Sequence, residues 1–328
     1  MIIQYKGETI DTKHFSNITD NECQALREAF YEKPSIDKVE KNLKTVFKGG
    51  VSVSDITNYY FKDLMAKVKL HHCKWSLEEL FECNDLIRFV HGKTLHNKKV
   101  FPDSNSEIQK IETAIRLSGK GSAAKPTNFP MKAIDNILDN YNINNVYYDF
   151  SCGWGIRMLS AMKKHVTYLG TDPNYLLTER LLELHDKFDK VNSTKTEVDI
   201  RTQGSEEFIP EWENTVGVAF SSPPYFGLED YKVGNQSYAE GMQYEDWLNG
   251  YYTNTIKNIH KYLISEGKLL INISDYGSFT LVEDTKRICA ENGFEYVGAD
   301  SLQNIKRITC TKALHEGKED ILIFKKKH

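Results

Sequence analysis

Two hydrophobic rhythms divide the chain. From about residue 16 to residue 97 apolar positions recur at helical spacing, as in Ile56, Tyr59, Tyr60 and Leu64, or Leu77, Leu80, Phe81, Leu86, Ile87 and Phe89. Thr19-Asp20, Ser52-Val53-Ser54 and Ser76 precede these runs and supply side-chain oxygens suited to accept the first free N–H groups of a helix. After residue 130 the rhythm changes: apolar strand candidates at 146–150, 166–171, 216–220 and 268–273, with a more polar one at 196–200, alternate with helical patterns that begin at 131–141. Such alternation predicts a parallel sheet covered on both faces, because parallel neighbours require crossover connections. Two last strand candidates, 294–297 and 320–324, are joined by a segment without a clear helix, which suits an antiparallel hairpin at the sheet edge.

Between the two regions, residues 93–130 turn to Lys, Gly, Ser, Asn and Pro, which interrupts regular structure. The expectation is a smaller, mainly helical N-terminal domain over residues 1–120 and an α/β, doubly wound, mostly parallel domain over residues 121–328.

Composition changes this picture little. Among 328 residues 40% are hydrophobic and 27% charged, and the mean hydropathy is −0.51, as expected of a folded chain without a membrane span. The first eleven residues alternate apolar and polar positions and lack the continuous apolar stretch of a secretory signal, so a cytoplasmic protein is expected. The six cysteines, Cys23, Cys73, Cys83, Cys152, Cys289 and Cys310, show no paired spacing and are expected as free thiols. A net charge of −4 argues against coating nucleic acid by bulk electrostatics while leaving a local basic groove open.

The chemistry is concentrated at three strand ends. The first sheet strand runs into Asp149-Phe150-Ser151-Cys152-Gly153-Trp154-Gly155, where glycines let backbone approach a ligand at the carboxyl edge of a parallel sheet. An ordinary tight turn would read the same way. The second ends in Asp172-Pro173-Asn174, about twenty residues on, where a carboxylate can accept from both hydroxyls of a cofactor's ribose or can simply cap the helix starting at Tyr175. The fourth runs into Ser221-Ser222-Pro223-Pro224-Tyr225-Phe226. Two prolines end the ladder and leave carbonyls facing the cleft, so Ser222 and the Pro223 carbonyl suit an amine and Tyr225 or Phe226 suits the face of its ring. The competing reading is a rigid surface turn with a packed aromatic.

Taken in order, Asp149-Phe150-x-x-Gly153-x-Gly155, Asp172 and Ser222-Pro223-Pro224-Tyr225 resemble the S-adenosylmethionine-dependent amino-methyltransferases that modify DNA, and the longer strings around the first and last of these resemble methylases often found in phage genomes. The resemblance covers residues 125–324 and implies a seven-stranded class I methyltransferase sheet of Rossmann-like type, with S-adenosyl-L-methionine as cofactor. It implies that Asp149, Cys152 and Gly153 surround the methionine moiety, that Asp172 meets the ribose, that Phe150, Ser151, Gly155 and Pro173 also bind the cofactor, and that Ser205 and Glu206 lie in the stretch where such enzymes meet the adenine. Lys125, Asn128 and Phe129 occupy the place of the family's element before the first strand, which also touches the methionine part. Ser222, Pro223, Pro224 and Tyr225 would carry catalysis, with Phe226, Glu229, Asp230 and Tyr231 facing the substrate.

The implied reaction is methylation of an exocyclic amine, cytosine N4 or adenine N6, in DNA whose target base is flipped out. A serine at the head of the motif is commoner in members acting on cytosine. No Pro-Cys dipeptide occurs, which disfavours the ring-carbon methylases and their cysteine nucleophile. No long recognition insert separates the motifs, so recognition is expected from the N-terminal domain, from residues 226–243, or from both. RNA, a modified free base, or a silent nucleic-acid-binding role on the same fold are the alternatives, and oligomeric state stays open.

Several weaker signals are set aside. His71-His72-Cys73 with Cys83 does not match zinc-finger spacing, so no metal is expected. Gly119-Lys120-Gly121-Ser122 lacks the spacing and strand of a phosphate loop and reads either as a flexible loop touching phosphate or cofactor or as a plain linker. Lys41, Lys44 and Lys48, and Lys93, Lys98 and Lys99, suit phosphate contacts but equally suit solvated helix faces. Tyr59, Tyr60, Phe61 and Trp75 are expected to fill the helical domain's core.

Overall fold

The computed structural model describes residues 2–6, 8–11, 15–71, 73–95, 100, 106–117, 123–142, 144–232, 235–301 and 320–327. His72, Lys98, Lys99, the segment Gly119-Lys120-Gly121-Ser122 and Cys310 lie outside them. Contacts divide the chain into two units. One comprises Met1–Lys33, Lys62–Thr127 and Leu228–Lys232; the other comprises Pro34–Phe61, Asn128–Gly227 and Val233–His328.

The first unit is mainly helical. Thr19 and Ser76 cap helices Asp20–Tyr31 and Leu77–Glu82, each in a reciprocal capping box closed by a glutamate three residues on, Glu22 and Glu79. Its core gathers Phe30, Trp75, Leu80, Phe81, Leu86, Ile87 and Ile111, with the Phe30 and Phe81 rings stacked 4.0 Å apart. A two-residue strand Lys69–Leu70 pairs antiparallel with Glu229–Asp230.

The second unit is built on the seven-stranded sheet. Its strands are β1 Val146–Asp149, β2 Thr167–Thr171, β3 Val198–Arg201, β4 Val216–Ser221, β5 Leu263–Asn272, β6 Phe294–Ser301 and β7 Asp320–Lys326. Their order across the sheet is β6-β7-β5-β4-β1-β2-β3. All neighbours from β5 through β3 are parallel, whereas β7 runs antiparallel to both β5 and β6. This is the doubly wound, mostly parallel seven-stranded sheet of Rossmann-like type that was expected, with the reversed strand inserted inside the edge. The strand order turns back between β1 and β4, which opens a crevice at their carboxyl ends.

Alternation of side chains explains both covered faces. Tyr148, Ala219, Leu269 and Ile271 join a core with Trp247, Tyr252, Ile256 and Ile288. On the other face Tyr147, Tyr168, Val218, Phe220 and Leu270 are buried. The buried tyrosines bond across strands: Tyr147 Oη donates to the Phe220 carbonyl at 2.9 Å, and Tyr148 Oη meets Thr171 Oγ1 at 2.9 Å.

The expected boundary near residue 120 differs from this division. Pro34–Phe61 belongs to the sheet unit, because the apolar stripe of helix Ile36–Phe47 faces helix Tyr175–Asn192 and Lys187 Nζ bonds Glu40 Oε1 at 3.2 Å. Tyr60 and Phe61 are buried as expected but in this unit, where Arg180 donates to the Tyr60 carbonyl and the Phe61 ring lies 6.2 Å from that of Trp154. Trp75 lies in the helical core. Among the described residues, no helix is long and apolar enough to cross a membrane.

Candidate active site

The turn after β1 is shaped by two glycines in left-handed conformations, φ +55° at Gly153 and +77° at Gly155. Gly155 begins helix Ile156–Lys163, and a Cβ there would come within 3.0 Å of Leu181 and 3.1 Å of Leu184. Glycine is therefore required both by the backbone angle and by the close approach of helix Tyr175–Asn192.

Asp149 lies at the end of β1 with no exposed surface, and its carboxylate is already engaged. Arg157 Nε donates to Oδ2 at 2.8 Å, Tyr168 Oη donates to the same atom at 2.9 Å, and the Ser151 N–H reaches Oδ1 at 3.4 Å. Arg157 also donates to the Ser151 carbonyl. Burial opposes the guanidinium charge, but Asp149 and the phenols of Tyr147 and Tyr168 hold its pKa above the ordinary value. Asp149 thus shapes the turn through Arg157, a partner that the sequence reading left out.

Asp172 stands at the end of β2, and the alternative that it caps the following helix is resolved by Asn174. Asn174 is the cap, accepting the Leu177 N–H at 3.3 Å, while Asp172 Oδ1 accepts the Asn174 N–H at 3.0 Å. The Cys152 N–H donates to the Thr171 carbonyl at 3.2 Å, tying the ends of β1 and β2 together. Desolvation pushes the Asp172 carboxyl up to about 7, against the pull of the Asn174 and Gly153 N–H groups and with the help of nearby Asp149. Pro173 follows, half-buried. Cys152 is buried beside Gly170, and burial, with Asp149 and Asp172 nearby, pushes its thiol well above the ordinary value. It is no thiolate nucleophile at neutral pH.

After β3, Ser205 is 4% exposed; its hydroxyl meets Thr255 Oγ1 at 2.8 Å and its carbonyl accepts from Asn258 Nδ2 at 3.1 Å. Glu206 folds its carboxylate over Gly204, and burial raises its pKa. Tyr251 is 8% exposed, its ring packed against that of Trp247 at 5.6 Å. Phe129 packs edge-on against Phe220 at 5.3 Å. Asn128 Nδ2 donates to Thr57 Oγ1 at 3.3 Å.

At the end of β4 two adjacent serines diverge. Ser221 Oγ donates to the Ser151 carbonyl at 3.4 Å, whereas the half-buried Ser222 hydroxyl has no bonding partner among the described residues. Pro223 is buried and Pro224 half-buried. The Tyr225 hydroxyl accepts the Ser274 N–H at 2.9 Å, which anchors the ring to the loop after β5. Phe226, expected at the substrate, is instead 8% exposed within a cage of Tyr238, Tyr244, Trp247 and Phe279, with ring centroids 5.1–6.0 Å away. Its large apolar ring is better satisfied in that core, and it anchors the turn there.

Glu229, Asp230, Tyr231 and Lys125 belong to the helical unit. Glu229 and Asp230 form the short strand paired with Lys69–Leu70, and Glu229 accepts the Tyr231 hydroxyl. Burial, with Lys62 nearby and Glu112 opposing, brings Lys125 down to about 8.

Three polar atoms of the sheet unit fit a ligand carrying both donors and acceptors. Among the described residues, Asn128 Oδ1 and Glu206 Oε2 are buried acceptors without donors, and Asn272 Nδ2, at the end of β5, is a buried donor without an acceptor. S-adenosyl-L-methionine offers an ammonium group, ribose hydroxyls and an adenine amine to the first kind, so the residues present fit it. Sequence spacing marked Asn128 and Glu206 but gave no sign of Asn272 or Ser274, which come to the strand ends only through folding.

No sequence family matches the chain, and comparison with curated proteins gave no match. Among solved structures, it is similar to the [4+2]-cyclase SpnF (12% identity, 60% of this chain and 80% of that one, TM-score 0.44). It is also similar to a structure titled as a putative S-adenosylmethionine-dependent methyltransferase from Listeria monocytogenes (12%, 60% and 96%, TM-score 0.39). A third is titled as a putative rRNA methylase from Clostridium thermocellum (12%, 60% and 94%, TM-score 0.39).

Proposed function

We propose that this chain is a methyltransferase that moves a methyl group from S-adenosyl-L-methionine to the exocyclic amine of a nucleic-acid base, in DNA before RNA, and at cytosine N4 before adenine N6. The observation that carries the reading is the presence together, at the end of β4 and beside the glycine turn of β1, of a Ser222 hydroxyl without a bonding partner among the described residues and a Tyr225 ring anchored by Ser274.

When bound, the cofactor supplies a methyl group made electrophilic by its sulfonium. Asp172 holds the ribose through its carboxylate, and the Gly153 and Gly155 turn lets backbone come close to the methionine portion. Ser222 Oγ and the Pro223 carbonyl accept the two N–H bonds of the target amine, which turns its lone pair toward the cofactor side of the cleft. Tyr225 stacks on the base and excludes water from that face. No covalent nucleophile is required, in keeping with the buried, protonated Cys152 thiol.

The test is transfer of radiolabelled methyl from S-adenosyl-L-methionine to unmodified DNA and to RNA in parallel, with nucleoside digestion and mass spectrometry of the product. A methylated amine in DNA, lost in Ser222→Ala, supports the reading. Label in RNA alone moves the substrate to RNA, and label in neither polymer overturns the assignment.

A further inference from the structure

β5 ends on a buried amide. Asn272 is the last residue of the strand and 3% exposed, and its Nδ2 has no acceptor among the described residues. A buried donor left unpaired costs stability unless a ligand meets it. The neighbours that the sheet gives this side chain are apolar. Along β5 the preceding residue on its face is Leu270, and across the ladder on β7 its partner is Ile321, both buried. On the other side lies β4, parallel to β5, with Phe220 beside Leu270 and Ser221 beside Ile271. One step further along this register, Ser222 comes beside Asn272.

The strand order sets this amide on the substrate side of the proposed site. The glycine turn, Asp172 and Glu206 follow β1, β2 and β3, all on one side of β4, whereas β5 lies on the other. Two strand spacings, about 9–10 Å, separate β5 from β1. Two residues beyond Asn272, the Ser274 N–H holds the Tyr225 hydroxyl, so the end of β5 is tied to the Ser-Pro-Pro-Tyr turn. Asn272 therefore stands with Ser222 and Tyr225 rather than with the groups assigned to the cofactor.

An accepting hydroxyl beside a donating amide matches an amine whose ring neighbour is an unprotonated nitrogen. Cytosine presents N4 and N3 in this way and adenine N6 and N1, while thymine reverses both positions with an accepting O4 and a donating N3–H. We propose that Asn272 is a specificity-determining residue, its Nδ2 donating to the ring nitrogen next to the target amine while Ser222 Oγ accepts from the amine. The inference rests on the reading of the site as one for the exocyclic amine of a base.

The test uses oligonucleotides whose target base carries C–H in place of that nitrogen, 3-deazacytosine or 1-deazaadenine according to the product the wild-type chain forms. Wild type, Asn272→Leu, which keeps the size of the side chain, and Asn272→Ala, which shortens it, are compared as full chains on natural and deaza substrates, with S-adenosylhomocysteine titration alongside. Each variant is expected to lose about tenfold in kcat/KM on the natural base, with S-adenosylhomocysteine affinity at the wild-type value. The deaza replacement is expected to cost wild type about tenfold more than it costs either variant, because the variants have no bond left to lose. A wild-type rate unchanged by the deaza replacement, an equal loss in all three chains, or a variant as fast as wild type on the natural base overturns the inference. Weakened S-adenosylhomocysteine binding in both variants also overturns it, since that puts Asn272 on the cofactor. Failure of the wild-type chain to methylate an amine in either polymer overturns instead the reading on which it rests.

Discussion

The backbone N–H of Ser274 donates to the Tyr225 hydroxyl at 2.9 Å, and the Ser274 hydroxyl lies 3.4 Å from the same oxygen. The loop after β5 thereby fixes the ring that closes the Ser-Pro-Pro-Tyr turn after β4. On the proposed reading, a phenol held at its tip would keep its face oriented before a base arrives and so lower the ordering cost of stacking.

Replacing that ring tests its role. Tyr225→Ala should raise KM for the nucleic-acid substrate and reduce kcat/KM by about 1–3 kcal/mol of lost stacking, roughly 5- to 150-fold. Tyr225→Phe should keep most of the stacking and lose only the anchor. Kinetics on a single oligonucleotide substrate would show the difference, and equal losses in both variants would count against a stacking role.

Ser222→Ala removes a hydroxyl that has no bonding partner among the described residues, so the melting temperature should stay within about a degree of wild type. The rate should fall by about 1–3 kcal/mol of transition-state stabilisation, roughly 5- to 150-fold in kcat. The neighbouring Ser221→Ala should show the opposite pattern, because Ser221 is bonded to Ser151.

On the proposed reading, Asp172 should make cofactor binding depend on pH. Its carboxyl is pushed up to about 7 by desolvation, so in the free protein it is largely protonated at pH 6 and largely ionised at pH 8. Ribose hydroxyls donate to the ionised form, and the dissociation constant for S-adenosylhomocysteine should fall as pH rises through 7 and level off above it. Binding at pH 6 should release a proton, which titration in buffers of different ionisation enthalpy would detect; Asp172→Asn should abolish both effects. For stability the sign is reversed: the folded state holds a proton that the unfolded chain gives up near 3.8, so this group's contribution is full below that value and is lost as pH rises to about 7.

The Asp149–Arg157 pair is buried, with 0% and 9% of the two side chains exposed. Arg157→Met should destabilise the fold by about 3–5 kcal/mol, because it leaves a carboxylate without its ion partner in a low-dielectric interior. Asp149→Asn combined with Arg157→Met should recover part of that loss in denaturant unfolding. Additive losses would mean that the pair contributes little.

Gly155→Ala should also destabilise, by about 1–3 kcal/mol, since a side chain at φ +77° is strained and its Cβ would press on Leu181 and Leu184. Thermal melting checks this independently of any activity.

What the sequence determined by itself was local. Short apolar runs placed all seven strands within a few residues, apart from an earlier start to β5, and helix Met131–Tyr141 fell where its periodicity required. The glycines of 153 and 155 and the prolines of 223 and 224 mark backbone events that no other residue types produce so readily, so the turns after β1 and β4 were legible too. Tertiary structure decided everything that joins distant positions. Tyr225 and Ser274 are 49 residues apart, and no spacing rule links a phenol to an N–H across that distance. The aromatic cage that takes Phe226 into the core and the Arg157 guanidinium that occupies Asp149 arise in the same way. The placement of Pro34–Phe61 with the sheet unit does so as well: an amphipathic helix carries in its sequence the need for an apolar partner, while which surface meets that need is settled only when the chain is folded.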